Sequence, residues 1–133
     1  MINGIDHIGI AVKNIDEMLP FYTEKLGLTL KGIEVVTEQK VKTAILQLGL
    51  SKIELLEATD PESPIAKYIE KKGEGIHHIA IGVNNAQEAL DTVAGKGVNL
   101  IDKAPRGGVE GTLIGFLHPK DSKILLEFVE GGA

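Results

Sequence analysis

The sequence predicts an α+β fold in which two tandem βαβββ modules pair into a curved mixed sheet, and an internal repeat with two matching helix starts predicts it. Residues 4–12 read GIDHIGIAV and residues 75–83 read GIHHIAIGV, a near-copy 71 positions later, so the chain is a tandem duplication. Both copies alternate branched apolar residues with small or polar ones, the period of a half-buried strand. Each copy is followed by the same signature. Asn14 precedes Glu17 by three residues and Asn85 precedes Glu88 by three, an N-cap with a reciprocal glutamate. Sixteen glycines in 133 residues fit short strands joined by tight turns.

The remaining elements follow in order. The first helix is expected to bury Met18, Leu19, Tyr22 and Leu26 and to stop near Gly27; the second buries Ala89, Leu90 and Val93 and stops at Gly95 to Gly97. Three strands complete each module, at about 28–37, 41–49 and 52–58, then at about 98–103, 112–118 and 123–130. Between the modules, Ser63 can cap a helix and Pro64 suits its first turn, which predicts a linking helix over 64–72. Lys71, Lys72 and Gly73 close it, cations near the negative end of its dipole. The chain is thus expected to be one domain over 1–133, with module 1 at about 1–59, the linker at about 60–73 and module 2 at about 74–133.

Composition narrows the function. A net charge of −5 with 14 dispersed Lys and Arg argues against nucleic acid, which needs a clustered basic face. Without cysteine there is neither a disulfide nor a thiolate zinc site, so any metal must be held by imidazole and oxygen. No apolar run approaches the length of a membrane span and no leader pattern opens the chain, so a cytoplasmic protein is expected.

Each module offers one histidine on its first strand and one glutamate on its last, His7 with Glu54 and His78 with Glu127. A lone histidine beside an aspartate, as in Asp6-His7, reads as a hydrogen-bonded structural residue; duplication of the imidazole and the carboxylate together points to a site. Glu54 lies within Lys52-Ile53-Glu54-Leu55-Leu56 and Glu127 within Leu125-Leu126-Glu127-Phe128-Val129, surroundings where a carboxylate demands a partner. If the modules pair about a pseudo-twofold axis, the four side chains line one cleft suited to a divalent cation. Glu57 and Glu130 fall toward strand ends and are expected to be exposed, and His77 faces away from His78 by strand alternation.

With these residues in place, the chain resembles the vicinal-oxygen-chelate superfamily, which includes glyoxalase I. Within it, Gly75-Ile76-His77-His78-Ile79-Ala80, Glu62-Ser63-Pro64-Ile65-Ala66-Lys67 and Phe116-Leu117-His118-Pro119-Lys120 are similar to the methylmalonyl-CoA epimerases. The resemblance implies one divalent ion, cobalt first and nickel, manganese or zinc as alternatives, bound by His7, Glu54, His78 and Glu127. It also implies an acyl-CoA substrate, a homodimer, and epimerisation at C2 by proton transfer through a thioester enolate. Some relatives carry glutamine at the position of Glu54, and some carry a glutamate base at the position of Thr43. Glu127 is therefore expected to be one base and Glu54, its repeat-related counterpart, the other.

The loop Lys103-Ala104-Pro105-Arg106-Gly107-Gly108, with Lys120 and Lys123, offers cations and glycine N–H groups for CoA phosphates, or is an ordinary glycine-rich loop. His118, before Pro119, reads as a turn residue. Two rival activities share the superfamily. A lactoylglutathione lyase uses a comparable site, and an Fe(II) ring-cleaving dioxygenase needs only two histidines and one carboxylate, against which Glu54 argues. A non-catalytic small-molecule binder of the same fold uses an aromatic cleft, which two Tyr, three Phe and no Trp make poorly.

Overall fold

The structure is a computed structural model and describes residues 1–131. In chain order its main elements are β1 (Ile2–Ala11), α1 (Ile15–Pro20), β2 (Thr29–Val36), β3 (Val41–Leu48), β4 (Ser51–Ala58), α2 (Pro64–Lys72), β5 (Gly75–Val83), α3 (Ala86–Gly95), β6 (Arg106–Gly107), β7 (Leu113–Leu117), α4 (Pro119–Ser122) and β8 (Leu126–Glu130). The strands and helices make the α+β fold of two βαβββ modules that the repeat predicts. Two compact units are distinguished, His7–His77 in one, and Met1–Asp6 with the chain from His78 onward in the other. Among the described residues, no helix is long and apolar enough to cross a membrane.

In the unit of residues 7–77 the strand order is β2-β3-β4-β1. The β2–β3 and β3–β4 pairs are antiparallel and β4 runs parallel to β1. One face of this sheet carries Ala44, Leu46 and Leu55 and is covered by α1 through Ile15, with Met18, Leu19 and Tyr22 packed around them. The other face carries Ala11, Val41 and Leu56, and α2 covers only this end of it through Ile65. The rest of that face bears the site.

The second unit repeats the plan. β5 runs parallel to β8, which pairs antiparallel with β7, and β7 with the two-residue β6. Val83, Leu117 and Phe128 pack under α3 through Ala86, Ala89 and Leu90. On the opposite face lie Ala80, Ile114 and Val129, with Phe116 against them. Gly115 marks the tightest approach of α3 to this sheet, since a Cβ there would stand 2.8 Å from Leu90 Cδ1 and 3.2 Å from Cδ2. Leu90 is fully buried, in one cluster with Val83, Leu117 and Phe128. Gly115→Ala is expected to destabilise the protein by about 1–3 kcal/mol, the usual cost of overpacking, measured by urea unfolding.

The helix starts hold in a modified form. The Asn14 side chain accepts from Glu17 N–H and the Asn85 side chain from Glu88 N–H, both at 2.9 Å. A second cap joins each of them. Glu57 accepts from Ile15 N–H at 2.7 Å and Glu130 accepts from Ala86 N–H at 2.8 Å. These glutamates were expected to be exposed; they are half-buried, because each binds the first helical N–H of its own module and sits at the positive end of the helix dipole.

Leu26, expected in the core, is 55% exposed. α1 passes at Pro20 into a π turn over Phe21–Lys25, with Leu26 N–H bonded to Phe21 C=O five residues back. The wider turn carries Leu26 off the buried stripe, and Leu28 packs against the core instead. The linking helix is α2 as predicted, with Ser63 Oγ accepting from Ile65 N–H and Gly73 at φ 80°.

The expected strand over 98–103 is a loop with one isolated bridge, Leu100 to Leu117. Its hydrogen bonds go elsewhere. Ile101 and Asp102 N–H both bond Phe116 C=O, Asp102 carboxylate accepts from Phe116 N–H, and Asn99 N–H goes to Asp121. That last bond above all lowers the pKa of Asp121 against the opposing effect of desolvation, with the Asn99 amide, Lys120 and His118 adding to it. Pro105 supplies no N–H, and the ladder resumes only at β6. The last predicted strand, 123–130, starts later, at Leu126, since Pro119–Ser122 forms α4 and Lys123 sits at φ 72°. His118 is its N-cap, with Nδ1 accepting from Lys120 N–H at 3.0 Å.

Candidate metal and proton-transfer site

The site is built twice from the same local geometry. In the β1–β4 ladder Gly9 lies beside Glu54 and His7 beside Lys52, so His7 and Glu54 share a face two positions apart. Gly9 offers no side chain at the place next to Glu54, and the imidazole of His7 leans across it. His7 Nδ1 stands 3.3 Å from Glu54 Oε2. In the β5–β8 ladder Ala80 lies beside Glu127, and His78, two residues earlier, reaches over that small side chain. His78 Nε2 stands 3.4 Å from Glu127 Oε1.

All four side chains are buried, at 3–5% exposure. Ionised carboxylates and imidazoles do not stay buried without strong partners. A histidine held against a carboxylate is one such partner, and a cation is another. Two ligand atoms about 2.1 Å from an ion and roughly 90–110° apart lie about 3.0–3.4 Å from each other. Both measured nitrogen-to-oxygen distances fall in that range, and the donor set is the one a borderline divalent cation prefers. The residues fit a metal.

The neighbours differ between the halves. Beside Glu127 in the ladder stands Phe116, whose ring meets that of His78 edge-on with centroids 5.6 Å apart. The Arg106 guanidinium lies 5.4 Å over the same Phe116 ring and 3.4 Å from Asp102. In the other half Glu54 faces Ile45 in the β3–β4 ladder and Thr43 faces Leu56, which puts Thr43, 1% exposed, on the Glu54 face. Lys52, 3% exposed, is on that face too. The sequence reading passed over Lys52, although its spacing of two from Glu54 was a signal. His77 lies off the site as expected, its ring edge-on to Tyr68 at 4.9 Å.

The profile of the Glyoxalase/Bleomycin resistance protein/Dioxygenase superfamily matches residues 6–116. The chain is 33% identical over 131 residues to the mitochondrial methylmalonyl-CoA epimerase of Dictyostelium discoideum, covering 97% of this chain and 79% of that protein. The chain belongs to this superfamily and to its methylmalonyl-CoA epimerase family. It is accordingly an enzyme of the epimerase class. A solved methylmalonyl-CoA epimerase variant from Streptomyces coelicolor, in complex with 2-nitronate-propionyl-CoA, superposes with a TM-score of 0.95 at 38% identity, over 100% of this chain and 97% of that one. Similarity is also high to the uncharacterized protein YqjC of Bacillus subtilis (strain 168), 42% identical over 97% of this chain and 93% of the relative. The epimerase fold therefore accounts for essentially the whole chain, and the duplicated His–Glu pairs lie on its strands β1, β4, β5 and β8.

Proposed function

We propose that this epimerase interconverts the two C2 epimers of methylmalonyl-CoA, with one divalent cation held jointly by His7, Glu54, His78 and Glu127. The observation that carries the reading is the repetition of a buried imidazole–carboxylate pair at ligand spacing, 3.3 and 3.4 Å, in a chain of this family. The two units then work as one domain in the cytoplasm, assembled as a homodimer, the last as the family resemblance implies.

The C2 proton lies between a thioester and a carboxylate, and its removal places negative charge on the thioester oxygen. A bound cation supplies Lewis-acid stabilisation of that charge, with cobalt the first choice and nickel, manganese or zinc the alternatives. The protein must then take a proton from one side of C2 and return one from the other. Glu127 is the base on one side. On the other, the repeat-related Glu54 is the first candidate, and each of these two glutamates would serve both as cation ligand and as base. Lys52, buried on the Glu54 face, is the proposed contact for the acyl carboxylate. Lys103, Arg106, Lys120 and Lys123 are the proposed contacts for the CoA phosphates, with Arg106 already oriented by Asp102.

The test is an NMR assay that starts from each pure epimer, with and without added Co(II). Interconversion that depends on the metal is expected. Turnover of the glutathione hemithioacetal of methylglyoxal, with methylmalonyl-CoA left untouched, would instead assign the chain to the lactoylglutathione lyases, one of which, a probable enzyme from Vibrio cholerae, is 31% identical to it.

A further inference from the structure

The edge strand β2 runs against the ordinary logic of a half-buried strand. Its apolar residues Ile33 and Val35 are 42% and 58% exposed, whereas the charged Glu34 between them is on the half-buried face. Stability alone would choose the reverse.

The cause is a bulge. Thr29 and Leu30 pair with Gln47 and Leu46, but the register shifts between Leu30 and Gly32, after which Gly32, Ile33 and Glu34 pair with Ile45, Ala44 and Thr43. Continued without the extra residue, the first register would set Ile33 across from Thr43 and bury it. A one-residue slip exchanges the two faces of a strand, and here it turns two branched apolar side chains outward to bring one carboxylate inward. Glu34 arrives directly beside Thr43, on the face that bears His7, Lys52 and Glu54. β2 and β4 are two strand spacings apart, about 10 Å, which leaves room for a substrate carbon between Glu34 and the Glu54 side of the site.

We propose that Glu34 is the second proton-transfer carboxylate of this epimerase, so that Glu54 remains a cation ligand throughout. This rests on the function proposed above. In one direction the C2–H bond breaks, the proton passes to the Glu34 carboxylate, and the bonding pair moves into the thioester carbonyl as an enolate. The protonated Glu127 then delivers its proton to C2 from the opposite side. In the other direction the two glutamates exchange roles. Half-buried rather than sealed, Glu34 gives its proton up to water, and Glu127 regains one, which resets the enzyme.

The experiment uses the full chain loaded with Co(II), and follows each epimer separately in D2O by proton NMR at C2 for wild type, Glu34→Gln, Glu34→Asp and Glu54→Gln. For Glu34→Gln, interconversion is expected to fall about 100-fold or more. One epimer still exchanges its C2 proton through Glu127 and the other does not. Cobalt content stays at the wild-type value, the melting temperature is not lowered, and Glu34→Asp restores part of the rate. A merely structural Glu34 would lower the melting temperature and give no one-sided exchange. Interconversion by Glu34→Gln within a few fold of wild type overturns the proposal. So does one-sided exchange in Glu54→Gln with none in Glu34→Gln. Wild type inert toward methylmalonyl-CoA would sink the underlying function as well, a result distinct from an active wild type indifferent to Glu34.

Discussion

Glu127→Gln is expected to lower the rate of C2 interconversion by about 10²–10⁴-fold, the usual contribution of a positioned acid or base. Glutamine keeps an oxygen at the place where Glu127 would bind a cation, so the loss should fall on proton transfer more than on metal content. Measured with each epimer in D2O, the variant should retain C2 exchange for the epimer opposite to the one that Glu34→Gln spares. Elemental analysis of the purified protein separates the two causes. A variant that holds its cobalt and still interconverts the epimers at the wild-type rate would show that Glu127 is only a ligand.

The second large effect concerns the cation itself. His78→Ala removes a nitrogen donor 3.4 Å from Glu127 together with the edge contact to Phe116, and leaves a cavity among buried groups. Cobalt should bind at least 100-fold more weakly and activity should fall in parallel. Stability gives a readout independent of turnover. A ligand present at 100 times its Kd stabilises the folded state by about 2.7 kcal/mol, which for a chain of this size is on the order of 10 °C in Tm. Wild type should show that rise when Co(II) is added to chelator-treated protein, and His78→Ala should not. An equal rise in both would mean that the cation binds elsewhere.

How far the sequence could be read depended on the range of the interaction. The cap residues Asn14 and Asn85 act on N–H groups three residues away, and Ser63 on one two residues away, so their signatures are local and were legible. Glu57 and Glu130 cap the same helices from 42 and 44 residues away, and nothing in their immediate neighbours separates them from exposed strand ends. The stretch 98–103 carried strand-like residues, yet Asp121 takes its Asn99 N–H, the Asp102 carboxylate takes the Phe116 N–H that a ladder would use, and Pro105 withholds one. Leu26 was lost to a single π turn.

By itself the sequence determined the duplication, the strand and helix periods, and the types of donor available: imidazole and carboxylate at repeat-related places, and no thiol. These are properties of residue identity and short spacing, which the backbone expresses wherever it lies. Only the tertiary structure decided which side chains stand on one face. Gly9 and Ala80 leave the space that lets each histidine meet its glutamate, and the bulge after Leu30 sends Glu34 inward and Ile33 outward. Register is a relation between strands, and a shift of one residue reverses a face without changing a letter of the chain.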